Sequence, residues 1–528
     1  MDLTPIVDDL HDRMSRTAVP GAALTLIADG RVVLAEGYGV TSVEDSGLPM
    51  TADTIARAAS ITKSLTATMV MRLVDRGQLD LDRPVIEYLE SLRLSLPGAA
   101  ERITLRMLLS HTSGLSRDVD WWGSRDFDAL EIQVRDVLPE IPMPAPPGAV
   151  WSYSNSGICL AAHVAEKVTG RLYPELMSEL LFDPLGMTRS TFDISVASTY
   201  RMAQCHVMDA EGNLSVHHRQ ADAVAFSASG SVMTTANDLA RYLLLHMQCG
   251  EFAGERILSE AAVAEMHAPV VNRYTPAGDG YGLGFYTGQH RGRSKVWHWG
   301  RILRYGGIAV TIPEAGVGLT LLYNRHSEGF DGEGFAFDAL DSLLGESGSR
   351  PIPAPATGPS VDWTVWAGSF VGSLVGLVEL TVDDGGVRMN WNGVGLDLAP
   401  HGPDILVGET EDGVAVSVGA VGGGAAPGEF VQVNGIAARR WDGGVLETTA
   451  AELAPLIGRY ELFDRIQISV EENRLMLESE THSRKMACQT IGPRKFACAI
   501  GTVEFPEGGY ESAPSLKFAE FANFNRRG

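Results

Sequence analysis

Ser60-Ile61-Thr62-Lys63 places a hydroxyl nucleophile one helical turn ahead of an isolated lysine. From Ala58 to Met71 no other residue is charged, and the flanking charges are Arg57 and Arg72. Apolar residues recur at Ile61, Leu65, Met69, Val70, Leu73 and Val74, a spacing that predicts a helix over about 60–76 ended by Gly77. A second, mostly apolar stripe runs through Ser60, Lys63, Ala67, Val70 and Val74, so the helix is expected to be buried on nearly all sides. Burial strips an ammonium of its water and favours the neutral amine. A neutral amine beside a serine hydroxyl can take its proton and make the serine a nucleophile. The alternative is a capping role for Ser60, with Lys63 snorkelling to solvent. Six lysines and ordinary serine usage supply about 0.4 such pairs by chance, so the pair needs partners from elsewhere in the chain.

Tyr153-Ser154-Asn155 follows the Pro/Gly-rich stretch Pro142 to Gly148 and precedes a helical run, Gly157 to Val168. Asn155 or Ser156 could cap that helix while Tyr153 packs. In the functional reading a phenol and an amide project from a tight turn into a cleft, where cationic neighbours let tyrosine move a proton. His298-Trp299-Gly300 closes a strand of alternating character, and the next strand begins near Ile308. Glycine after the histidine admits another backbone or a ligand, and strand-edge N–H groups can face an oxyanion. Packing is the alternative for this histidine between Trp297 and Trp299.

Together, Ser-x-x-Lys, Tyr-x-Asn and His-x-Gly resemble the penicillin-recognising, serine β-lactamase-like enzymes. The match is to the branch of class C β-lactamases, D-aminopeptidases, family VIII esterases and transacylases. Supporting stretches are Val19-Pro20-Gly21-Ala22, Leu108 to Leu115 with its His111-Thr112-Ser113-Gly114, Asp183 to Met187, Ser229 to Ala240 and Tyr281 to Phe285. The resemblance covers about residues 15–325. It implies that Ser60 attacks an acyl carbon, Lys63 and Tyr153 exchange the proton, and Asn155 orients Lys63 and the substrate. His298 would support Tyr153 electrostatically or bind a substrate carboxylate, and the backbone N–H groups of Ser60 and Arg301 would form the oxyanion hole. Trp299 stands where the family usually has a small residue and Arg301 is bulky; both, with Gly300, would border a narrowed pocket. Trp121 and Trp122 are candidates for the acyl-pocket wall. The implied chemistry needs no cofactor and no metal. Substrates would be small esters, amides or short peptides, with D-aminopeptidase or D-amino-acid amidase character foremost. Transacylation, DD-peptidase or β-lactamase activity and a non-catalytic binding role are the alternatives. No Gly-x-Ser-x-Gly or His-Glu-x-x-His motif supports another hydrolase class.

The elements that must position these groups divide the chain. Residues 1–345 alternate strand and helix patterns, with an Asp29-Gly30 hairpin near the start, a helical middle, and strands at Tyr281–Tyr286, Lys295–Trp299, Ile308–Ile312 and Gly318–Tyr323. That arrangement predicts an α/β fold, an antiparallel sheet assembled from distant segments and flanked by helices, with an all-α lobe inserted and a cleft between. Residues 346–360 have a linker composition. Beyond them, short alternating runs punctuated by glycine turns predict two small antiparallel β-barrels, 361–448 and 449–528. Gly368-Ser369-Phe370 and Gly458-Arg459-Tyr460 open the two halves alike, and Gly422-Gly423-Gly424 reads as a flexible turn.

At 528 residues the chain exceeds a single core. A formal net charge of −24 argues against nucleic acid or an anionic membrane as partner. The five cysteines are scattered without metal-ligand spacing, although Cys488 and Cys498 could meet across a hairpin. The N-terminal residues lack an apolar signal core, and no run of about 18 apolar residues suggests a membrane span. A cytoplasmic enzyme, able to form homo-oligomers, is expected.

Overall fold

The computed structural model describes all residues except 45–47, 118–122, 210, 219–221, 328, 349, 351–359, 384–385, 411–412, 423, 457, 462–464, 480–483, 493, 499–500, 506–514, 519–521 and 528. Most of the 346–360 linker therefore lies outside the described residues. Two segments far apart in sequence build one sheet. Strands β1 (Gly21–Ala28) and β2 (Arg31–Gly39) come from the beginning of the chain. Strands β3 (Val271–Asn272), β4 (Gly280–Tyr281), β5 (Tyr286–His290), β6 (Arg293–Ile302), β7 (Tyr305–Ile312) and β8 (Val317–Tyr323) come much later. The order is β2-β1-β8-β7-β6-β5-β4-β3. Antiparallel pairing of β1 with β8 sets Leu24 against Leu321 and Leu26 against Leu319. Every residue of β1, β7 and β8 is buried, as expected of strands covered on both faces.

Helices supply the two covers. On one face α1 (Thr4–Arg16) packs with the late helix Gly332–Leu344 through Leu10, Leu24, Val310, Leu321, Phe335 and Leu340. The other face meets α2 (Thr62–Asp75), α3 (Asn155–Thr169) and α4 (Ala236–Met247), which share a core with Ala23, Ile27, Ala309 and Leu322. Helix α2 is buried from Thr62 through Met71, so its hydroxyls need internal acceptors. Thr62, Ser64, Thr66 and Thr68 donate to the carbonyls of Ala59, Ile61, Thr62 and Ser64 at 2.6–2.9 Å, the back-bonding open to Ser and Thr inside a helix.

Two strand boundaries differ from the sequence reading. His298 does not close its strand. β6 continues to Ile302 and pairs with β7 from Val296–Thr311 through Ile302–Tyr305, with His298 opposite Ala309. The turn at Leu303-Arg304 carries no Gly, Asn or Pro, and Leu303 itself takes φ +54°, so nothing in the sequence marks it. Tyr281 and Tyr286 belong to separate strands joined by a turn. Gly284 sits there at φ +77°, and a Cβ on it would lie 2.5 Å from the Ala67 Cβ and 3.0 Å from the Lys63 carbonyl. The turn must therefore press directly on α2.

Two closed eight-stranded barrels follow, the first from Gly368–Gly372 to Ile436–Arg440 and the second from Gly458–Glu461 to Ala522–Arg527. Phe370 and Tyr460, from the two matching openings, are fully buried in their respective cores. The first barrel docks on the sheet-and-helix domain. Phe430 and Val421 pack with Ala145, Ala149 and Val150 of the Pro/Gly-rich stretch, and the Trp151 carbonyl accepts from Gln432 Nε2 at 3.5 Å. A Cβ on Gly424 would lie 2.3 Å from the Gly148 carbonyl oxygen. Gly424 thus forms part of a docking surface rather than a free turn, while a Cβ on Gly422 would meet nothing within 4 Å; Gly423 lies outside the described residues. The second barrel leans on the first through Leu377, Ile491, Ala497, Val371 and Trp441.

Candidate active site

A cleft of about 650 Å³ opens between the helical lobe, the sheet edge and the first barrel, and Ser60 lies on its wall. Ser60 occupies a short 3-10 turn, Ala59–Ile61, immediately ahead of α2. Ala59 takes φ +50°, a strained value for a residue with a Cβ, which turns Ser60 out of the helix axis. Ser60 makes no cap. Lys63 is fully buried, and its Nζ lies 3.1 Å from Ser60 Oγ and donates to the Ser229 carbonyl at 2.6 Å. The same nitrogen stands 4.8 Å from the centroid of the Tyr153 ring. Ser60, Lys63 and Tyr153 are thus brought together from three elements.

Tyr153 and Asn155 reach the cleft from the turn before α3. Ser154, not Asn155 or Ser156, is the cap: its Oγ accepts from the Gly157 N–H at 2.9 Å. Asn155 is the first helical residue, buried, on the cleft wall. His298 is buried at 1 % exposure. Its Nδ1–H donates to the Trp299 carbonyl at 2.6 Å, leaving Nε2 to accept from the Tyr281 hydroxyl at 3.2 Å. Burial above all pushes its pKa down to about 3, so it is a neutral imidazole at ordinary pH.

Gly300 explains how β6 approaches Ser60. A Cβ there would fall 2.2 Å from the Ala58 carbonyl and 2.8 Å from the Ser60 nitrogen. Only glycine lets the strand lie flush against the Ser60 amide. Next to it Trp299, 42 % exposed, and Arg301 line the cleft, and Trp299 stacks on Tyr286 with centroids 6.5 Å apart. Trp121 and Trp122 lie outside the described residues.

Three contributions to the cleft received no role in the sequence analysis. His111 sits in the His-Thr-Ser-Gly stretch with φ +59°, its ring 4.4 Å from that of Tyr153. Its Nδ1 accepts from the Ser154 N–H at 3.1 Å and its carbonyl from the Ser152 N–H at 2.8 Å, so it clamps the turn that carries Tyr153. Burial above all holds His111 well below the usual histidine range. Arg273, between β3 and β4, enters the cleft against Trp151 and Tyr286. The third is the barrel wall, with Asn434, Ile436, Arg439 and Trp441. The His111 stretch was visible as a motif; a lone arginine in a loop and the facing strands of a distant barrel left no local signal.

A serine with a buried amine at hydrogen-bond distance, a phenol beside both, and a glycine strand against the serine amide meet on an antiparallel sheet with a helical lobe. The chain belongs to the beta-lactamase family, whose model matches residues 6–341, and it is an enzyme of the serine hydrolase type found there. It is 30 % identical over 366 residues to penicillin-binding protein 4 of Amycolatopsis lactamdurans, covering 67 % of this chain and 93 % of that one. To the unguisins hydrolase ungD' of Aspergillus campestris it is 25 % identical over 383 residues, 69 % of this chain and 67 % of the relative. The solved octameric penicillin-binding protein homologue from Pyrococcus abyssi aligns with a TM-score of 0.58 at 25 % identity, over 90 % of this chain and 98 % of that one. The crystal structure of SurE aligns with a TM-score of 0.64 at 25 % identity, over 83 % and 98 %. Among the described residues no group of His, Cys, Asp or Glu could hold a metal ion, and no helix is long and apolar enough to cross a membrane.

Proposed function

We propose that the protein cleaves or exchanges small amides and esters through an acyl-enzyme on Ser60. The observation that carries this reading is the fully buried Lys63, 3.1 Å from Ser60 Oγ and oriented by the Ser229 carbonyl. With one N–H directed at Ser229, the amine lone pair is available to the serine. Ser60 Oγ bonds to the acyl carbon as its proton passes to Lys63 Nζ, and the carbonyl electron pair moves onto oxygen. The N–H groups of Ser60 and Arg301 receive that charge. Collapse breaks the bond to the leaving nitrogen or oxygen, which takes a proton from Tyr153; Lys63 returns one to Tyr153. Water or an amine then attacks the ester, releasing Ser60 by the reverse route. Asn155 orients Lys63 and the substrate. A neutral imidazole offers no charge to a carboxylate, so His298 acts by positioning: it fixes Tyr281 and the β6 backbone next to Gly300.

Substrates in this proposal are amino-acid esters, amides or short peptides, with D-residues accepted, as in the D-aminopeptidases that the domain order resembles. The relatives named for penicillin binding and for unguisins hydrolysis support an acyl-transfer role. Hydrolysis and transacylation share the intermediate and differ in whether water or an amine resolves it. The octameric relative supports homo-oligomer formation. Free thiols at Cys159, Cys205, Cys249, Cys488 and Cys498 support a reducing, cytoplasmic setting. A panel of p-nitrophenyl esters and p-nitroanilides of D- and L-amino acids, run with and without amine acceptors, tests the reading. Turnover that vanishes in Ser60→Ala is expected; turnover retained in that variant overturns it.

A further inference from the structure

Both chain neighbours of Tyr153 are bonded to one distant residue. The His111 carbonyl accepts from the Ser152 N–H at 2.8 Å, and His111 Nδ1 accepts from the Ser154 N–H at 3.1 Å. The residues after His111 continue the pairing. The Thr112 carbonyl accepts from the Gly148 N–H at 2.8 Å, the Ser116 carbonyl from the Ser154 hydroxyl at 2.7 Å, and the Arg117 carbonyl from the Asn155 N–H at 2.5 Å. All of these acceptors except His111 Nδ1 are main-chain carbonyls, which any residue supplies. Only the bond to the Ser154 amide needs a particular side chain.

That side chain meets demands that few residues satisfy together. Its ring is fully buried and packs 4.4 Å from the Tyr153 ring and 4.8 Å from the Tyr281 ring, centroid to centroid. Because Nδ1 accepts, the imidazole is neutral and carries its proton on Nε2. A second ring proton would face the Ser154 N–H and break the bond. The backbone of His111 takes φ +59°, a region in which Asn, Asp and His are several-fold enriched among residues with a Cβ. The stretch is anchored in turn on the turn that presses on α2, where the Leu109 carbonyl accepts from the Gly284 N–H at 2.9 Å.

The peptide units before and after Tyr153 are thus fixed to the same residue, and with them the direction in which the phenol leaves the chain. A displacement of about 1 Å in such a group can cost about 100-fold in rate. We propose that His111 is a positioning residue for proton delivery to the leaving group: its Nδ1, by fixing the Ser154 amide, holds the Tyr153 phenol within reach of the departing atom. This proposal rests on the Ser60 acyl-enzyme reading and on Tyr153 as the proton donor within it. The consequence is selective. An alkoxide or an amine is too basic to depart without the proton that Tyr153 supplies, whereas p-nitrophenolate and fluoride depart without one. His111 therefore governs the cleavage of amides and alkyl esters and has little influence on activated aryl esters.

The test compares two leaving groups on one acyl group. The acyl group that serves best in the ester and anilide panel is supplied as its p-nitrophenyl ester and as its methyl ester, and kcat/KM, which reports acylation, is measured for both on each preparation. The ratio of the two values does not depend on the fraction of protein that is folded. His111→Leu should lower the methyl-ester value about 100-fold and the p-nitrophenyl value less than about threefold. His111→Gln, whose amide reaches the Nε2 end of the ring, should do the same. His111→Asn places its amide oxygen near Nδ1 and tolerates the left-handed backbone, so it should restore the methyl-ester value to within about tenfold of wild type. In a Tyr153→Phe background, His111→Leu should cost less than about threefold on the methyl ester, because the group it positions is gone. Equal losses on both esters in His111→Leu overturn the proposal. So does a full further loss on top of Tyr153→Phe, or a His111→Asn variant no better than His111→Gln. Modification of wild-type Ser60 by a fluorophosphonate is read separately: modified Ser60 with equal ester losses sinks the His111 proposal alone, and unmodified Ser60 sinks the acyl-enzyme reading.

Discussion

Lys63 stands on a helix whose first ten residues are all buried, with Ser60 on the turn just ahead of it, whereas Asn434, Arg439 and Trp441 reach the same cleft from a barrel near the other end of the chain. The first wall is rigid because the hydroxyls of Thr62, Ser64, Thr66 and Thr68 and the Lys63 amine are bonded to backbone carbonyls inside a packed core. The second is a separately folded module docked through a small apolar patch, Ala145, Ala149, Val150, Val421 and Phe430. Under the proposed acyl-enzyme reading the contrast is a division of labour: the buried wall would fix the reacting atoms, and the docked wall would select what is presented to them. Changes to the first wall should therefore lower kcat, and changes to the second should act mainly through KM.

The largest effects should come from the buried wall. Ser60→Ala should lower kcat/KM on any substrate by about 10⁴-fold or more, and Lys63→Ala by about 10³–10⁴-fold, both measured in steady-state assays. A Lys63→Ala loss of under tenfold would break the assignment of the amine as base. Gly300→Ala forces a Cβ into the Ala58 carbonyl and the Ser60 nitrogen. It should cost about 10²–10³-fold in kcat, from displacement of the Ser60 amide, and should also lower the thermal midpoint, because the Cβ meets backbone rather than a side chain that can move. On the docked wall, Arg439→Gln should raise KM several-fold while kcat moves less. A larger effect on kcat than on KM would erase the distinction between the walls.

The mixed legibility of the site follows the same division. Ser60, Lys63 and Tyr153 were readable because each lies in a local pattern: an isolated charge on an apolar helix, and a phenol before a helix start. The strand carrying His298 was read too short, since Leu303 adopts a left-handed turn without any residue type that advertises it. The α3 cap was misplaced by one residue because Ser154, Asn155 and Ser156 are all good caps, and only the geometry of the Gly157 N–H distinguishes them. Two barrels were legible from alternation and glycine turns. Their docking was not, because the patch joins alanines and a valine from one domain to Phe430 of another, residues that any core would use. Arg273 is placed in the cleft by Trp151 and Tyr286, neither of them its neighbour in sequence.

A smaller effect concerns pH. His111, His246, His267 and His298 are buried and all pushed below the ordinary histidine pKa, chiefly by desolvation, with His267 near 4 and His298 near 3. In the unfolded chain they titrate near 6.5. Below that pH the unfolded state binds more protons than the native state, so stability falls as pH drops from about 6.5 towards 4, on the order of 1 kcal/mol per histidine per pH unit. Asp279 and Glu333, whose pKa values are raised, pull the other way. Thermal melts from pH 7.5 to 5 should show a falling midpoint; a flat or rising midpoint would contradict neutral burial of these rings.

The central claim is that Ser60 becomes acylated. Intact-protein and peptide mass spectrometry after brief reaction with a fluorophosphonate, and after acid quench with a slow amino-acyl ester, measures this directly. The account predicts one added group, located on the peptide containing Ser60, absent in Ser60→Ala and formed more slowly in Lys63→Ala. An adduct on another residue, or full turnover with Ser60 unmodified, would contradict it.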